Sequence, residues 1–353
     1  MASESIPTKQ ISVNIKEQGK AEVVTDAAIP EIPDDYVLVK TVAVALNPTD
    51  WKHIDYSAKA GTRVGCDYAG TVVKVGKNLT RQFKVGDDIA GAVHGSKTGP
   101  IDRGAFGEYI IAKTGVAIHK PANFSFEEAA TLGVGVTTVA QGLFQTLGLP
   151  LPGENGPKGT ILVYGGSTAT GTLAIQYAKL VGWKVITTCS PRNFDLVKSL
   201  GADEVFDYND PEVINKIKAA TNNSLTHVFD TISLEGSAKI SAGVLAPKGK
   251  YSGLLPTKAP RDDVSWTSTL AYTAFGEPFS TFGVTKDAIP EDYAYATKFW
   301  EISEKLLAGG KLKPHPLEVK EKGLKGIIDG LDLLRKDKVS GKKLAYRIAD
   351  TPK

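Results

Sequence analysis

The chain has 353 residues, 42% of them hydrophobic and 23% charged, and its 42 basic and 39 acidic side chains leave a net charge of +3. That length suggests two domains with an ordinary globular core. The charges are dispersed, with no Lys/Arg block of the density expected of a nucleic-acid or membrane arm, so neither partner is expected. Two distant cysteines, Cys66 and Cys189, fit a reducing compartment and exclude a disulfide framework. The opening "MASESIPTKQ" lacks an apolar signal core, and no run of about 18 apolar residues occurs anywhere. A cytoplasmic protein is expected.

In chain order, "YVLVKTVAVALN" (36–47), "GTVVKVG" and "VGDDIAGAV" are Val-rich, glycine-bounded strands and read as a partly open β-barrel. Residues 125–144 switch to helical spacing, with Ser125 and Glu128 placed for a capping box. "PLPGENGPKG" (150–159) is a turn-rich linker. From 160 onward strands alternate with helices. "TILVYG" is a buried strand, and "TLAIQYAKLVG" is a helix with Leu173, Tyr177 and Val181 on one face and Gly182 as its stop. "KVITTCS", "EVFDY", "THVFDTI" and "GKYSGLL" continue the strands, which predicts βαβ units and a doubly wound parallel sheet. Between 264 and 283 the chain is aromatic without a clear period. Residues 293–310 read as a helix, and the tail reads strand, helix, strand. No solenoid-length repeat is present.

The stretch "VYGGSTATG" (163–171) follows a strand and opens a helix, a junction that presents backbone N–H groups and the positive helix end to an anion. Gly165 and Gly166 permit a tight turn, and Gly171 permits close packing of helix on sheet. Ser167, Thr168 and Thr170 offer hydroxyls where the G-x-G-x-x-G pattern has a second glycine. A purely structural turn is the alternative. At the end of the next strand, where an NAD site carries an acid, the sequence is Ser190, Pro191, Arg192, Asn193. No carboxylate repels a 2′-phosphate there, and Arg192 offers a planar donor fork to one, which points to NADPH. A solvated loop arginine is the alternative. The five histidines, His53, His94, His119, His227 and His315, lack ligand spacing, and Cys66 reads as a small buried residue. No metal is expected.

Together these motifs resemble the zinc-independent, quinone-oxidoreductase-like branch of the medium-chain dehydrogenase/reductases. "VAVALNPTDWK" is similar to the family's N-P-x-D segment. "VGCDYAGTVVKVG" is similar to its G-x-D-x-x-G-x-V signature, and "GAFGEY" and "KPANFSFEEAATL" are family-like. "YGGSTAT", "TCSPRN" and "LNPTDWKHID" are most similar to fungal trans-acting enoyl reductases that partner polyketide synthases and to yeast-type NADPH-dependent enone or aldehyde reductases. The resemblance implies an α/β chain with a GroES-like β-barrel catalytic domain (1–130 and 300–353) and a Rossmann domain (131–299). It implies that Pro48, Thr49, Asp50 and Trp51 flank the nicotinamide half of NADPH. Ser167, Thr168, Ala169 and Thr170 would hold the pyrophosphate; Ser190, Arg192, Asn193 and Tyr208 would surround the 2′-phosphate and adenine. Leu254, Leu255, Val339 and Ser340 would close over the cofactor. Gly135, Tyr272 and Phe275 would line the substrate. At Leu234 the relatives often carry an asparagine, a departure that bears on the polyketide-partner role.

The reaction so implied is hydride transfer to the β-carbon of an activated C=C in an enone, enoyl or quinone substrate, with protonation at the α-carbon. Lys52 is the first candidate to stabilise the enolate or relay the proton, a solvated helix lysine being the alternative. Thr138 is the second, a helix threonine bonded to its own backbone being the alternative. Tyr56 is a third candidate, and solvent a further proton source. Reduction of aldehyde or ketone carbonyls, service to a polyketide synthase with a carrier-protein-bound acyl chain, and a non-enzymatic NADPH-binding role remain open. So does the choice between monomer and homodimer, because the 264–283 stretch suits either a large pocket or a dimer edge.

Overall fold

The computed structural model describes residues 6–97, 99 and 103–353. The chain forms two compact units, one of residues up to Thr137 together with Tyr272–Lys353, the other Thr138–Ala271.

The first unit opens with an antiparallel ribbon, β1 (Lys9–Glu17) and β2 (Lys20–Ala28). Its main sheet contains β3 (Tyr36–Ala45), β4 (Asp67–Val75), β5 (Asp88–Ala92), β6 (Tyr109–Lys113) and β7 (Ala117–His119). The valine-rich β3 is buried along nearly its whole length, as a strand with neighbours on both edges and cover on both faces must be. It pairs antiparallel with β4 on one edge and with β6 on the other. Between β3 and β4 lies helix α1 (Pro48–Tyr56). The capping box read at Ser125 forms: Ser125 N–H donates to Glu128 Oε2 at 2.8 Å and Glu128 N–H to Ser125 Oγ at 3.1 Å. It starts only a short helix, α2 (Phe126–Ala129). A second, α3 (Gly133–Val139), then runs into a wider π-helical turn over Ala140–Thr146.

The second unit is a six-stranded, wholly parallel sheet. Its strands are β8 (Thr160–Tyr164), β9 (Lys184–Cys189), β10 (Glu204–Asp207), β11 (His227–Asp230), β12 (Lys250–Gly253) and β13 (Ser265–Ser268). The spatial order is β10-β9-β8-β11-β12-β13. The crossovers carry α4 (Ala169–Leu180), α5 (Phe194–Ser199), α6 (Val213–Ala220) and α7 (Glu235–Val244). This is the doubly wound order in which ligands bind at the carboxyl ends of the strands flanking the reversal, here β8 and β11.

The chain then returns to the first unit. The aromatic stretch that had no clear period breaks into β13, a tight turn at Ala271–Phe275 and a hairpin of β14 (Phe279–Thr281) and β15 (Val284–Lys286). Each piece is too short for a period to show. Helix α8 (Pro290–Ala308) buries Phe299 and Trp300 completely. Trp300 Nε1 donates to Thr137 Oγ1 at 3.2 Å, and Gly115 N–H donates to the Tyr293 hydroxyl at 3.1 Å. Residues 131–137 and 272–299, placed with the dinucleotide domain in the sequence reading, thus pack with the first unit. The tail adds β16 (Leu317–Lys320), α9 (Gly323–Arg335) and β17 (Lys343–Arg347), which pairs antiparallel with β3. Lys343 forms a buried ion pair with Asp67 of β4 and donates to the Thr131 carbonyl at 3.1 Å. Stripping one partner from such a pair leaves a bare buried charge and costs about 3–5 kcal/mol. Among the described residues no helix is long and apolar enough to cross a membrane.

Candidate functional site

In the second unit the junction of β8 and α4 is a pinned turn. Gly165 sits at φ +79°, and its N–H and that of Gly166 donate to the Thr188 carbonyl at the end of β9, at 3.1 and 2.9 Å. A Cβ on Gly171 would strike the Gly165 carbonyl oxygen, so the glycine is what lets α4 close on the turn. Thr168 is the helix cap. Its Oγ1 accepts the Gly171 N–H at 2.9 Å and lies 2.9 Å from Thr231 Oγ1. This hydroxyl, the one expected to replace a phosphate-binding glycine, thus also serves the fold. What the turn leaves without an acceptor among the described residues is the N–H groups of Ser167, Ala169 and Thr170, which together with the helix dipole favour an anion.

The neighbouring strand ends carry the other residues of this half. Ser190 precedes a short turn, Pro191–Asn193, in which Asn193 Nδ2 donates to Ser190 Oγ at 3.3 Å. Arg192 is exposed and makes no ion pair among the described residues. Tyr208 follows β10, 40% exposed, with its ring 6.4 Å from that of Tyr164. The end of β11 holds a residue that the sequence reading missed. Asp230 is fully buried, and burial raises its pKa against the N–H groups of Ser233 and Ile232 that it accepts at 2.8 and 2.9 Å; it also accepts the Tyr251 hydroxyl at 3.0 Å. Ser233 Oγ in turn accepts the Leu254 N–H at 2.6 Å, which fixes the segment carrying the half-buried Leu254 and Leu255. Leu234 is 58% exposed. Thr138 is buried where α3 enters this unit.

In the first unit α1 begins at Pro48, a residue suited to the first helical position. The Asn47 N–H donates to Asp50 Oδ2 at 2.7 Å. Asp50 is wholly buried, and burial, with Asp67 nearby, pushes its carboxyl up to about 7. Thr49 Oγ1 lies 2.5 Å from the Tyr272 hydroxyl, and His53 Nδ1–H donates to the Thr49 carbonyl at 2.8 Å. That bond fixes the His53 tautomer and leaves Nε2 buried without a partner among the described residues. Burial holds the His53 pKa down to about 4 and that of His94 well below the usual value. His94 stacks on Tyr272 at 4.1 Å, with Phe275 and Phe279 at 5.8 and 5.4 Å. The neutral imidazoles thus lie in an aromatic group with Tyr272 and Phe275. No motif announced either histidine; their partner Tyr272 lies some 220 and 180 positions further along the chain.

Lys52 is half-buried, and burial lowers its pKa. Its ammonium lies 5.8 Å from the Trp51 ring, which also carries the Arg335 guanidinium at 5.8 Å. Tyr56, at the end of the same helix, is 67% exposed. Gly135 is buried in α3; Val339 is half-buried and Ser340 exposed between α9 and β17. Among the described residues no three His, Cys, Asp or Glu side chains gather as metal ligands. Cys66 is buried, and burial, with Asp50 and Asp67, pushes its thiol well above the usual value, which disfavours the thiolate a metal would take.

Residues 33–122 match the family model described as the alcohol dehydrogenase GroES-like domain, and residues 169–293 that described as zinc-binding dehydrogenase. The trans-enoyl reductase ACTTS2 of Alternaria alternata is 47% identical over 341 residues, 95% of this chain and 97% of that protein. The trans-enoyl reductase resD of Aspergillus sclerotiorum is 44% identical over 348 residues, 94% and 98% of the two. Among solved structures, the quinone oxidoreductase of Pseudomonas syringae superposes with a TM-score of 0.74 at 25% identity, over 95% of this chain and 99% of that one. The CurK enoyl reductase shares the fold, with a TM-score of 0.74 at 20% identity over 96% and 99%.

Proposed function

Because this chain belongs to the medium-chain dehydrogenase/reductase family, whose enzymes use nicotinamide cofactors, we propose that it is an NADPH-dependent enoyl reductase. Its substrate in this reading is an α,β-unsaturated acyl thioester presented on a carrier protein. The observation that carries the reaction is the identity of 47% to a trans-enoyl reductase along 95% of the chain. What favours NADPH is the acid-free end of β9, where Arg192 stands exposed with no carboxylate partner among the described residues.

The second unit fits the cofactor. The free N–H groups of Ser167, Ala169 and Thr170 suit the pyrophosphate, Ser190, Arg192 and Asn193 suit a 2′-phosphate, and Tyr208 offers a face for adenine. Bound there, the cofactor supplies a hydride to the β-carbon of the double bond. The chain's own task is to hold the acyl group and to meet the charge that develops on the carbonyl oxygen. Lys52 suits that task, because a half-buried ammonium with a lowered pKa donates readily to an enolate and can pass a proton to the α-carbon. Thr138 is a neutral donor in the same reading. Tyr272 and Phe275, with Gly135, line the acyl group. The reaction is metal-independent in this reading, since Asp67 is engaged by Lys343 and the Val134 N–H and Cys66 is held as a thiol.

Product identification tests the proposal. With NADPH, a 2-enoyl thioester and a 2-enal should both yield products saturated at the C=C bond, identified by mass spectrometry. An allylic alcohol from the enal, or tight NADPH binding with no turnover of either compound, would overturn it.

A further inference from the structure

Beside the aromatic group of the first unit, three cations meet one carboxylate. Glu277 lies two positions beyond Phe275 and forms ion pairs with Lys97, with Lys113 at 3.4 Å and with Arg103 at 3.9 Å. The Tyr36 hydroxyl donates to the same carboxylate. Burial pushes the Glu277 pKa up, but Arg103, with Lys97 and Tyr36, holds it at about 2, so the group stays ionised. Arg103 and Lys113 also sit over the Tyr36 ring, at 4.4 and 5.6 Å. The next carboxylate, Asp35, is bonded to the hydroxyls of Thr80, Thr114 and Tyr293.

Among the described residues this cluster carries an excess of two positive charges, while its three cationic side chains are no more than 12% exposed. Arg103 Nε is buried with no hydrogen-bond partner among the described residues. Charges so poorly hydrated call for a counter-anion, and a planar guanidinium beside two ammonium groups suits a phosphate in particular. The cluster stands next to the aromatic group in the chain: Glu277 lies two positions beyond Phe275, which packs on His94 at 5.8 Å, and His94 stacks on Tyr272.

We propose that Lys97, Arg103 and Lys113 form a receptor for the phosphate ester on the pantetheine arm that carries the acyl chain. The inference rests on the reading of the substrate as a carrier-tethered thioester, and it adds the group by which the tether is recognised. The arm's own atoms undergo no reaction; the phosphate is held while the thioester end is presented.

Calorimetry on the full chain with phosphopantetheine, with pantetheine, which lacks only the phosphate, and with inorganic phosphate tests it. Phosphopantetheine should bind about tenfold or more tighter than either of the others, the range expected of a charge-assisted contact. Arg103→Gln and Lys113→Gln should each remove most of that preference, and Arg103→Lys, which keeps the charge, should retain part of it. Equal binding of the two arms by the unmodified protein overturns the proposal without reference to any variant. So does a preference that survives both glutamine substitutions, or inorganic phosphate binding as tightly as phosphopantetheine, which would make this a site for the free ion. Turnover of enoyl pantetheine separates the two readings. If no thioester is reduced, the enoyl reductase reading fails, while a phosphate preference that depends on Arg103 still supports the receptor.

Discussion

Arg192 illustrates what a single residue contributes to cofactor choice. It stands on a turn fixed by the Asn193–Ser190 hydrogen bonds, and no Asp or Glu lies between Thr188 and Asn193. A charge-assisted contact to a 2′-phosphate is worth about 1.5–3 kcal/mol, and the exposed position places the expectation at the lower end. Arg192→Ala should therefore weaken NADPH binding about tenfold and leave NADH binding nearly unchanged, measured by fluorescence titration of both cofactors. Equal loss for both would remove the 2′-phosphate argument. The substitution touches nothing in the protein's own packing, so its stability should not move. Asp230, by contrast, sits at the neighbouring strand end and is wholly committed to the fold, with its carboxylate taken up by Ile232, Ser233 and Tyr251.

At the scale of the element, the start of α4 shows where sequence reading succeeds and where it stops. The apolar run of β8, the two glycines and the amphipathic run that follows are local signals, and the strand, turn and helix form where they predict. The role of Thr168 is not local. Its hydroxyl meets Thr231, 63 positions later, and caps the helix. Thr168→Ala should lower the stability of the second unit by about 1 kcal/mol, as loss of an N-cap does. Thr168→Ser should restore it, with urea midpoints as the measure; an unchanged midpoint in the alanine variant would deny the cap. The same limit explains the stretch 264–283, where elements of three to five residues are set by contacts with distant partners such as Thr49 and His94. It explains 125–144 as well, where continuous helical spacing hid a break between α2 and α3 and a change to a wider turn. Strand and helix types were legible because periodicity is local; pairing across the chain, as in Asp67 with Lys343 or Glu277 with Lys97, was not.

At the scale of the whole molecule the buried titratable groups are unevenly shared between the units. His53, His94 and His315 all lie in the first unit, and burial holds them neutral, with pKa values of about 4 for His53 and about 3 for His315. The unfolded chain takes up a proton on each near 6.5, and the folded unit refuses it until far lower pH. Stability from these groups is thus fully present above pH 6.5 and is lost as pH falls toward 4, by up to about 3 kcal/mol for His53 alone. Asp50 runs the other way. Its folded pKa of about 7 lies above the ordinary 3.8, so it favours the folded state at low pH and loses that contribution as pH rises through this window. Between pH 6.5 and 4 three imidazoles outweigh one carboxyl, and the net effect of acid is destabilising. Of the histidines the second unit has only His227, which is half-buried, and its buried Asp230, whose pKa burial raises, favours the folded state as pH falls. Hydrogen exchange, corrected for the intrinsic rate, should therefore show protection in β3, β4 and β17 falling between pH 7.5 and 5 while that in β8 and β9 holds. Asp50→Asn, which keeps an acceptor for the Asn47 N–H but removes the opposing titration, should steepen the loss in the first unit. Equal loss of protection in both units, or a flatter profile in the asparagine variant, would contradict the assignment of acid sensitivity to these imidazoles.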